Sequence, residues 1–165
     1  MDVEDRKRLG DCMELLHSYN TLQLATVDAN GLPHISYAPF IRQDTNFFIF
    51  VSQLAGHTQR LKESTNASVM VIKDEAGSRN LFARERFVAD VVASTVEPAE
   101  IKSILDAMEI TLGNTVALLR SLPDFILFRL TVTKAKYIAG FGKAYQVDLC
   151  RHTVAHISAE SLAKP

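Results

Sequence analysis

Residues 124–132 read DFILFRLTV and are followed by Lys136-Tyr137-Ile138 and then by residues 140–145, GFGKAY. The first run is an apolar, strand-like segment, and we expect the second run to be a further strand. The two glycines that follow predict a bend or bulge between strands. An earlier segment, residues 24–40 (LATVDANGLPHISYAPF), predicts a hairpin, because its Asn30-Gly31 step tolerates the positive φ angles of a tight turn.

The bulk properties of the chain are those of an ordinary globular protein. Its 165 residues are 47% hydrophobic and 22% charged, with a net charge of −1, so we expect one domain and no partnership with nucleic acid or an anionic membrane. Cys12 and Cys150 are too few for a disulfide framework and predict free thiols. The N-terminal residues are charged and no run approaches 18 apolar residues, which predicts a cytoplasmic protein without a membrane span.

The hydrophobic pattern predicts a mainly β fold with peripheral helices. We expect six or seven strands and three or four helices, which suits a compact antiparallel barrel formed as a single domain over residues 1–165. The predicted helices span residues 2–19, 55–64, 97–110 and 114–120, and the predicted strands span residues 21–27, 33–40, 47–51, 67–73 and 80–95, besides the two quoted above. Residues 1–20 form the N-terminal helical segment of this scheme, and residues 148–165 form a tail whose structure the pattern leaves open.

No nucleotide-binding loop, nucleophile elbow or zinc motif is present in the sequence. His34 lies in a predicted strand, where we expect a histidine with satisfied ring nitrogens. Ser52, His57 and Thr58 lie at the start of a predicted helix, whose free N–H groups favour anions. These three residues predict either a phosphate or carboxylate site or ordinary helix capping.

Two arginines predict a second anionic contact. Arg84 and Arg86 alternate within the predicted strand 80–95, so both side chains should share one face while Glu85 takes the other. Two neighbouring guanidinium groups repel unless an anion lies between them. A phosphate, a heme propionate or a partner's carboxylate would satisfy the pair, and a solvated strand face is the alternative.

The tail contains two histidines, His152 and His156, which would share one face if the tail were helical. One imidazole suffices as the axial ligand of heme iron, whereas a solvent-facing pair is the alternative interpretation. Asp124 begins the apolar strand 124–132. It either terminates that strand or orients a histidine through its second ring nitrogen, as carboxylates next to metal ligands do.

The quoted segments, taken together, resemble the FMN-binding split barrels of the pyridoxamine 5'-phosphate oxidase-like superfamily. The finer resemblance is to the heme iron utilisation proteins within it and extends over about residues 15–147. The segments that carry it are residues 24–40, 52–61, 81–86, 124–130 and 140–145.

This resemblance implies a homodimeric split β-barrel that binds heme at the dimer interface, and oxidative heme degradation in some members. It implies that a tail histidine ligates the iron and that Asp124 hydrogen-bonds the histidine of the other subunit. Arg84 and Arg86 match basic residues near the heme, and His57 matches a histidine near the dimer interface. The segment after Tyr145 departs from the family pattern, so neither tail histidine lies in a matched motif.

Three functions follow from these residues. The first is heme binding with oxygen-dependent heme turnover, in which His152 or His156 ligates iron, Asp124 tunes that ligand and the arginines hold propionates. The second is an FMN-dependent oxidoreductase, in which Ser52, His57, Thr58 and the arginines hold the flavin phosphate. The third is a non-enzymatic heme carrier or storage protein, which would use the same ligands as the first.

Overall fold

The computed structural model describes residues 2–158. Nine strands and four α-helices lie in this part of the chain. Their order is α1 Val3–Ser18, β1 Thr21–Val27, β2 Pro33–Pro39, β3 Ile41–Gln43, β4 Asn46–Ser52, α2 Gly56–Glu63, β5 Asn66–Ile72, β6 Arg86–Thr95, α3 Pro98–Leu112, α4 Thr115–Arg120, β7 Phe125–Gly140, β8 Lys143–Asp148 and β9 Thr153–His156, with short 3₁₀ turns at Glu75–Gly77 and Leu81–Ala83. None of the helices in residues 2–158 combines the length and apolar character needed to cross a membrane.

The strands follow the order β2-β1-β5-β6-β7-β4-β3, while β8 pairs with β7 and with β9. By contact density the chain divides into two compact units. The terminal unit comprises the residues up to Tyr19, Met70–Ala89 and the residues from Lys134 onward. The central unit comprises Asn20–Val69 and Asp90–Thr133. Each unit is described separately below.

The predicted hairpin forms in the central unit as β1 and β2, which pair antiparallel with Thr21 opposite Pro39 and Val27 opposite Pro33. Its turn is fixed by Asp28, whose Oδ1 accepts the backbone N–H groups of Asn30 and Leu32 at 2.9 Å each. Gly31 takes a φ of 80°, as the sequence predicted. This local chemistry explains why the hairpin could be predicted without tertiary information.

The core of the central unit lies between its strands and helices α3 and α4. Helix α3, which the sequence predicted over residues 97–110, packs an apolar stripe into this core, since Ile104, Leu105 and Met108 are buried while Ile101 and Leu112 pack against them. Pro98 occupies the first turn of α3, where its missing N–H is harmless. The buried residues of this cluster are Ile41, Phe48, Val96, Ile104, Leu105, Met108, Val116 and Leu127.

In the terminal unit, α1 buries Cys12, Leu15 and Leu16, and β8 pairs with both β7 and β9. The predicted irregularity at the glycines is confirmed, because the β7–β8 register shifts between Ile138 and Gly140 and Gly142 takes a φ of 68°. The residues from 149 to 156 turn back as β9 and not as a helix. The two predicted tail histidines therefore do not share a helical face.

The structure differs from the sequence prediction at three places. The predicted strand 80–95 begins only at Arg86, because the Asn80 side chain accepts the Phe82 N–H at 3.0 Å and stabilises a 3₁₀ turn instead of a ladder. The two predicted strands at 124–132 and 136–138 are one strand, β7. The three-residue β3 was not predicted, since it is too short to show a period.

Candidate functional site

Ser52 and Asp124 meet in the central unit. Ser52 ends β4, which pairs antiparallel with β7 so that Ser52 lies opposite Phe125. This register places Asp124, the residue before β7, beside Ser52, and the Ser52 hydroxyl donates to Asp124 Oδ2 at 2.8 Å. The backbone N–H of Gln53 donates to the Asp124 carbonyl at 2.6 Å. Two residues predicted from separate parts of the sequence thus form one hydrogen-bonded group.

Thr58 supports this group from α2. Its side chain is fully buried, and its hydroxyl donates to the Ser52 carbonyl at 2.7 Å. The hydroxyl therefore ties the start of α2 to the end of β4. Ala55, the residue before α2, supplies no side-chain cap. The assignment of Ser52, His57 and Thr58 as anion contacts stays a prediction, and within the chain the two hydroxyls already donate to protein oxygens.

His57 is half-buried beside Thr58, and its Nε2 has no hydrogen-bond partner among the described residues. Burial, with a smaller effect of the nearby His34, lowers the pKa of His57 below its usual 6.5. The ring is consequently neutral near pH 7. A neutral imidazole offers an anion a single N–H group.

The prediction that His34 is fully satisfied was wrong at one nitrogen. Its Nδ1 is buried without a partner in residues 2–158. Thr26 lies directly across the hairpin from His34. The Thr26 hydroxyl is also buried and, within the same residues, unpaired.

The arginines of the terminal unit differ from their predicted arrangement. Arg84 lies before β6 and Arg86 is its first residue, so the two do not alternate within one strand. Arg84 donates from Nε to the Lys73 carbonyl at 2.5 Å, and Arg86 donates to the Arg84 carbonyl at 2.8 Å. Each guanidinium carries five N–H groups, so both retain donors for an anion.

A surface cleft of about 280 Å³ adjoins Arg84 in the same unit. Its lining includes the cations Lys73, Arg79 and Arg84 and a single anion, Glu85. A carboxylate or phosphate group is the ligand chemistry that such a lining favours. Arg79 was not singled out in the sequence, because it lies just before the predicted strand 80–95 that contains Arg84 and Arg86.

The tail histidines lie on the β8–β9 hairpin. His152 is exposed in the connecting turn, where its φ is 51°. His156 is exposed in β9, its Nε2 lies 3.1 Å from the Gly142 carbonyl, and its ring meets the Tyr145 ring edge-on at 5.2 Å. His152 therefore presents a freer ring than His156. The part of the predicted tail from 159 to 165 lies outside the described residues.

Sequence reasoning missed a buried polar pair in the terminal unit. Tyr137 is 1% exposed and its hydroxyl donates to Glu85 at 2.5 Å, while Lys73 lies 3.4 Å from the other Glu85 oxygen. Burial and the Glu85 carboxylate raise the pKa of Tyr137. The available signal was a polar-tipped aromatic at an inward strand position, since a buried tyrosine hydroxyl usually finds a partner.

Among the described residues no group of three or more His, Cys, Asp or Glu side chains could hold a metal ion. A bare zinc or iron centre built from such groups is therefore not formed by residues 2–158. Heme differs, because its porphyrin supplies four iron ligands and the protein adds as few as one.

Comparison with known proteins identifies the family. Residues 10–139 match the pyridoxamine 5'-phosphate oxidase family. The chain is 41% identical over 137 residues to heme oxygenase HutZ of Vibrio cholerae, covering 82% of this chain and 78% of HutZ.

Solved structures agree with this match. The crystal structure of V. cholerae HutZ, described as a heme storage protein, superposes with a TM-score of 0.71 at 39% identity, over 74% of this chain and 88% of that one. The Campylobacter jejuni ChuZ structure gives a TM-score of 0.81 at 30% identity, over 92% of this chain and 62% of ChuZ. This chain therefore belongs to the pyridoxamine 5'-phosphate oxidase-like split-barrel superfamily, in its branch of heme iron utilisation proteins.

Proposed function

We propose that this protein binds heme and turns it over with oxygen, acting as a homodimer in heme iron utilisation. The observation that carries the proposal is the 41% identity, over 82% of the chain, to a heme oxygenase. The described residues fit a heme group in three respects: an available axial ligand, a carboxylate that can orient it, and cations for the propionates.

A tail histidine, His152 or His156, would ligate the heme iron. Both rings are exposed, and His152 makes no hydrogen bond within the described residues. For His156 to ligate through Nε2, that nitrogen must leave the Gly142 carbonyl. His152 is therefore the ligand that requires less rearrangement.

Asp124 orients the histidine that a second copy of the chain supplies. Its Oδ2 is occupied by Ser52, whereas its Oδ1 accepts no hydrogen bond from residues 2–158. A carboxylate that accepts the second ring N–H of an iron-bound imidazole fixes the ring and makes it a stronger donor to the metal. His57 would lie near the same interface between copies.

Arg84 and Arg86 hold the heme propionates, because charge-assisted hydrogen bonds from guanidinium to carboxylate are strong and directional. Their free N–H groups and the cationic cleft beside Arg84 support this role. When bound, heme supplies the iron and the oxygen chemistry. The chain binds and orients the heme. Asp124 holds the proton on the nitrogen of the ligating histidine that does not bind iron.

Two other functions use the same surfaces. The HutZ structure carries the description of a storage protein, which favours a carrier that holds heme without degrading it. The match to pyridoxamine 5'-phosphate oxidases favours an FMN-dependent oxidoreductase with the phosphate near Ser52, His57 and Thr58. Incubation of the heme complex with ascorbate and oxygen distinguishes heme turnover from heme storage, because a heme-degrading enzyme loses its Soret band and a carrier keeps it.

The deciding experiment is an absorbance titration of the purified protein with hemin, beside the variants His152→Ala and His156→Ala. We expect a saturable Soret band that one variant loses. A Soret band retained by both variants would show that the iron ligand is a different residue. Flavin absorbance in the untreated protein, or no saturable band, would overturn the heme proposal. Light scattering at the same concentrations tests the dimer.

A further inference from the structure

We infer that Ser52 is a positioning residue, which holds the Asp124 carboxylate in the one orientation that presents Oδ1 to the iron-bound histidine. This inference rests on the proposed heme function. It assigns Ser52 a role different from the anion contact that the sequence predicted. It is carried by the hydrogen bonds at the ends of β4 and β7.

The direction of the Ser52 hydroxyl is determined by its two partners. A serine hydroxyl has one hydrogen to donate and lone pairs to accept. The backbone N–H of Leu54 donates to Ser52 Oγ at 3.1 Å, which uses an acceptor site. The hydroxyl hydrogen is thereby left for Asp124 Oδ2, 2.8 Å away. Since a carboxylate can only accept hydrogen bonds, the Ser52 hydroxyl must be the donor and Asp124 the acceptor.

The backbone around the pair is held from three sides. Seven consecutive residue pairs join β4 to β7, from Asn46 opposite Thr131 to Ser52 opposite Phe125. The Gln53 N–H binds the Asp124 carbonyl at 2.6 Å. The buried Thr58 hydroxyl binds the Ser52 carbonyl at 2.7 Å. The residual freedom of Asp124 is therefore rotation of its carboxylate, a soft torsion without a sharp minimum of its own.

Without the Ser52 hydroxyl, the Asp124 carboxylate should rotate more freely, whereas its charge should stay in the same place. We expect Ser52→Ala to slow heme turnover about tenfold, which corresponds to the lower end of the range for one hydrogen bond to a charged acceptor. Heme affinity should change less than twofold, because the iron ligand and the arginines remain. Ser52→Thr keeps a hydroxyl and should restore turnover.

The chain offers a matched control. Ser68 donates to Asp90 Oδ1 at 3.1 Å in the same unit, in an exposed serine–aspartate pair of the same kind. Ser68→Ala therefore removes an equivalent hydrogen bond without touching Asp124. Asp124→Asn completes the set, because it removes the charge that Ser52 is inferred to orient.

Two measurements test the inference. In the heme-free protein, the ¹³C resonance of the Asp124 carboxyl group should shift in Ser52→Ala and stay in place in Ser68→Ala. In the ferrous heme complex, the iron–histidine stretching band should move in the same direction in Ser52→Ala and Asp124→Asn, and should return in Ser52→Thr.

The outcomes separate the two proposals. If Asp124→Asn alters the iron–histidine band and turnover while Ser52→Ala leaves both unchanged, the role of Ser52 is overturned and the heme function stands. If the wild-type protein gives no heme complex, the proposed function fails and the positioning role fails with it. If Ser52→Ala lowers affinity as much as turnover, the serine contacts the ligand directly and does not act through Asp124.

Discussion

The strand ends that carry Ser52 and Asp124 differ in construction from the hairpin that carries His152 and His156. Ser52 and Asp124 are half-buried, bonded to each other and supported by a fully buried threonine. The two histidines are exposed, one in a turn and the other on the short strand β9. The first pair is held by hydrogen bonds at the ends of long paired strands, whereas the two histidines proposed as iron ligands lie where rearrangement costs little.

The largest expected effect comes from the strand pair that supports the first region. Phe47 and Leu130 lie opposite each other in β4 and β7 and are both fully buried. Phe47→Ala should lower the free energy of unfolding by about 3–5 kcal/mol, because it leaves a cavity that a sheet cannot close. Val154→Ala, its counterpart in β9 at 6% exposure, should cost about 1–2 kcal/mol. Urea denaturation of both variants measures the two losses, and, because Phe47→Ala deletes more buried carbon than Val154→Ala, equal losses per deleted carbon would remove the contrast between the regions.

Tyr137 tests how firmly the strands next to the hairpin are held, because it lies opposite Tyr145 in the β7–β8 ladder. Tyr137→Phe should cost about 1.5–3 kcal/mol, the range for a hydrogen bond to a charged partner such as Glu85. The pKa of Tyr137 is raised in the folded protein, so its stabilisation is complete below pH 10 and is lost as the pH rises further. Thermal unfolding between pH 8 and pH 11 should show a steeper loss for the wild type than for the variant, and parallel curves would contradict the assignment.

Thr58 tests the link between α2 and the end of β4. Thr58→Val preserves the shape of the side chain and removes the donor to the Ser52 carbonyl. We expect a loss of about 0.5–1.5 kcal/mol in the free energy of unfolding. Thr58→Ser retains the hydroxyl and is the control for that hydrogen bond. A Val variant as stable as the wild type would show that the bond adds no net stability.

Local signals made parts of this fold predictable. The turn at Asp28 and Gly31 and the α3 stripe follow from the residues that form them. The Ser52–Asp124 contact could not be predicted, because it joins residues 72 positions apart through the β4–β7 register. The position of the arginine pair was predicted wrongly because of a local interaction. The Asn80 side chain accepts a backbone N–H group, so β6 begins later than the sequence pattern predicts. Side chains that compete with the ladder leave no periodic signal.

The smallest expected effect concerns His57, which borders the first region. Its pKa is lowered in the folded protein by burial and by His34. The unfolded chain therefore takes up a proton at a higher pH than the folded chain, so stability is full above pH 6.5 and declines as the pH falls through the lowered folded value. His57→Gln should flatten the stability profile between pH 7.5 and pH 5, and urea midpoints at these two pH values measure it. His17→Gln, at an exposed position on α1, is the control that removes a histidine outside the candidate site. An equal flattening in both variants would assign the slope to histidine content and not to the half-buried ring, whereas a change confined to His57→Gln would show that this ring, and not an exposed histidine on α1, makes the protein sensitive to mild acid.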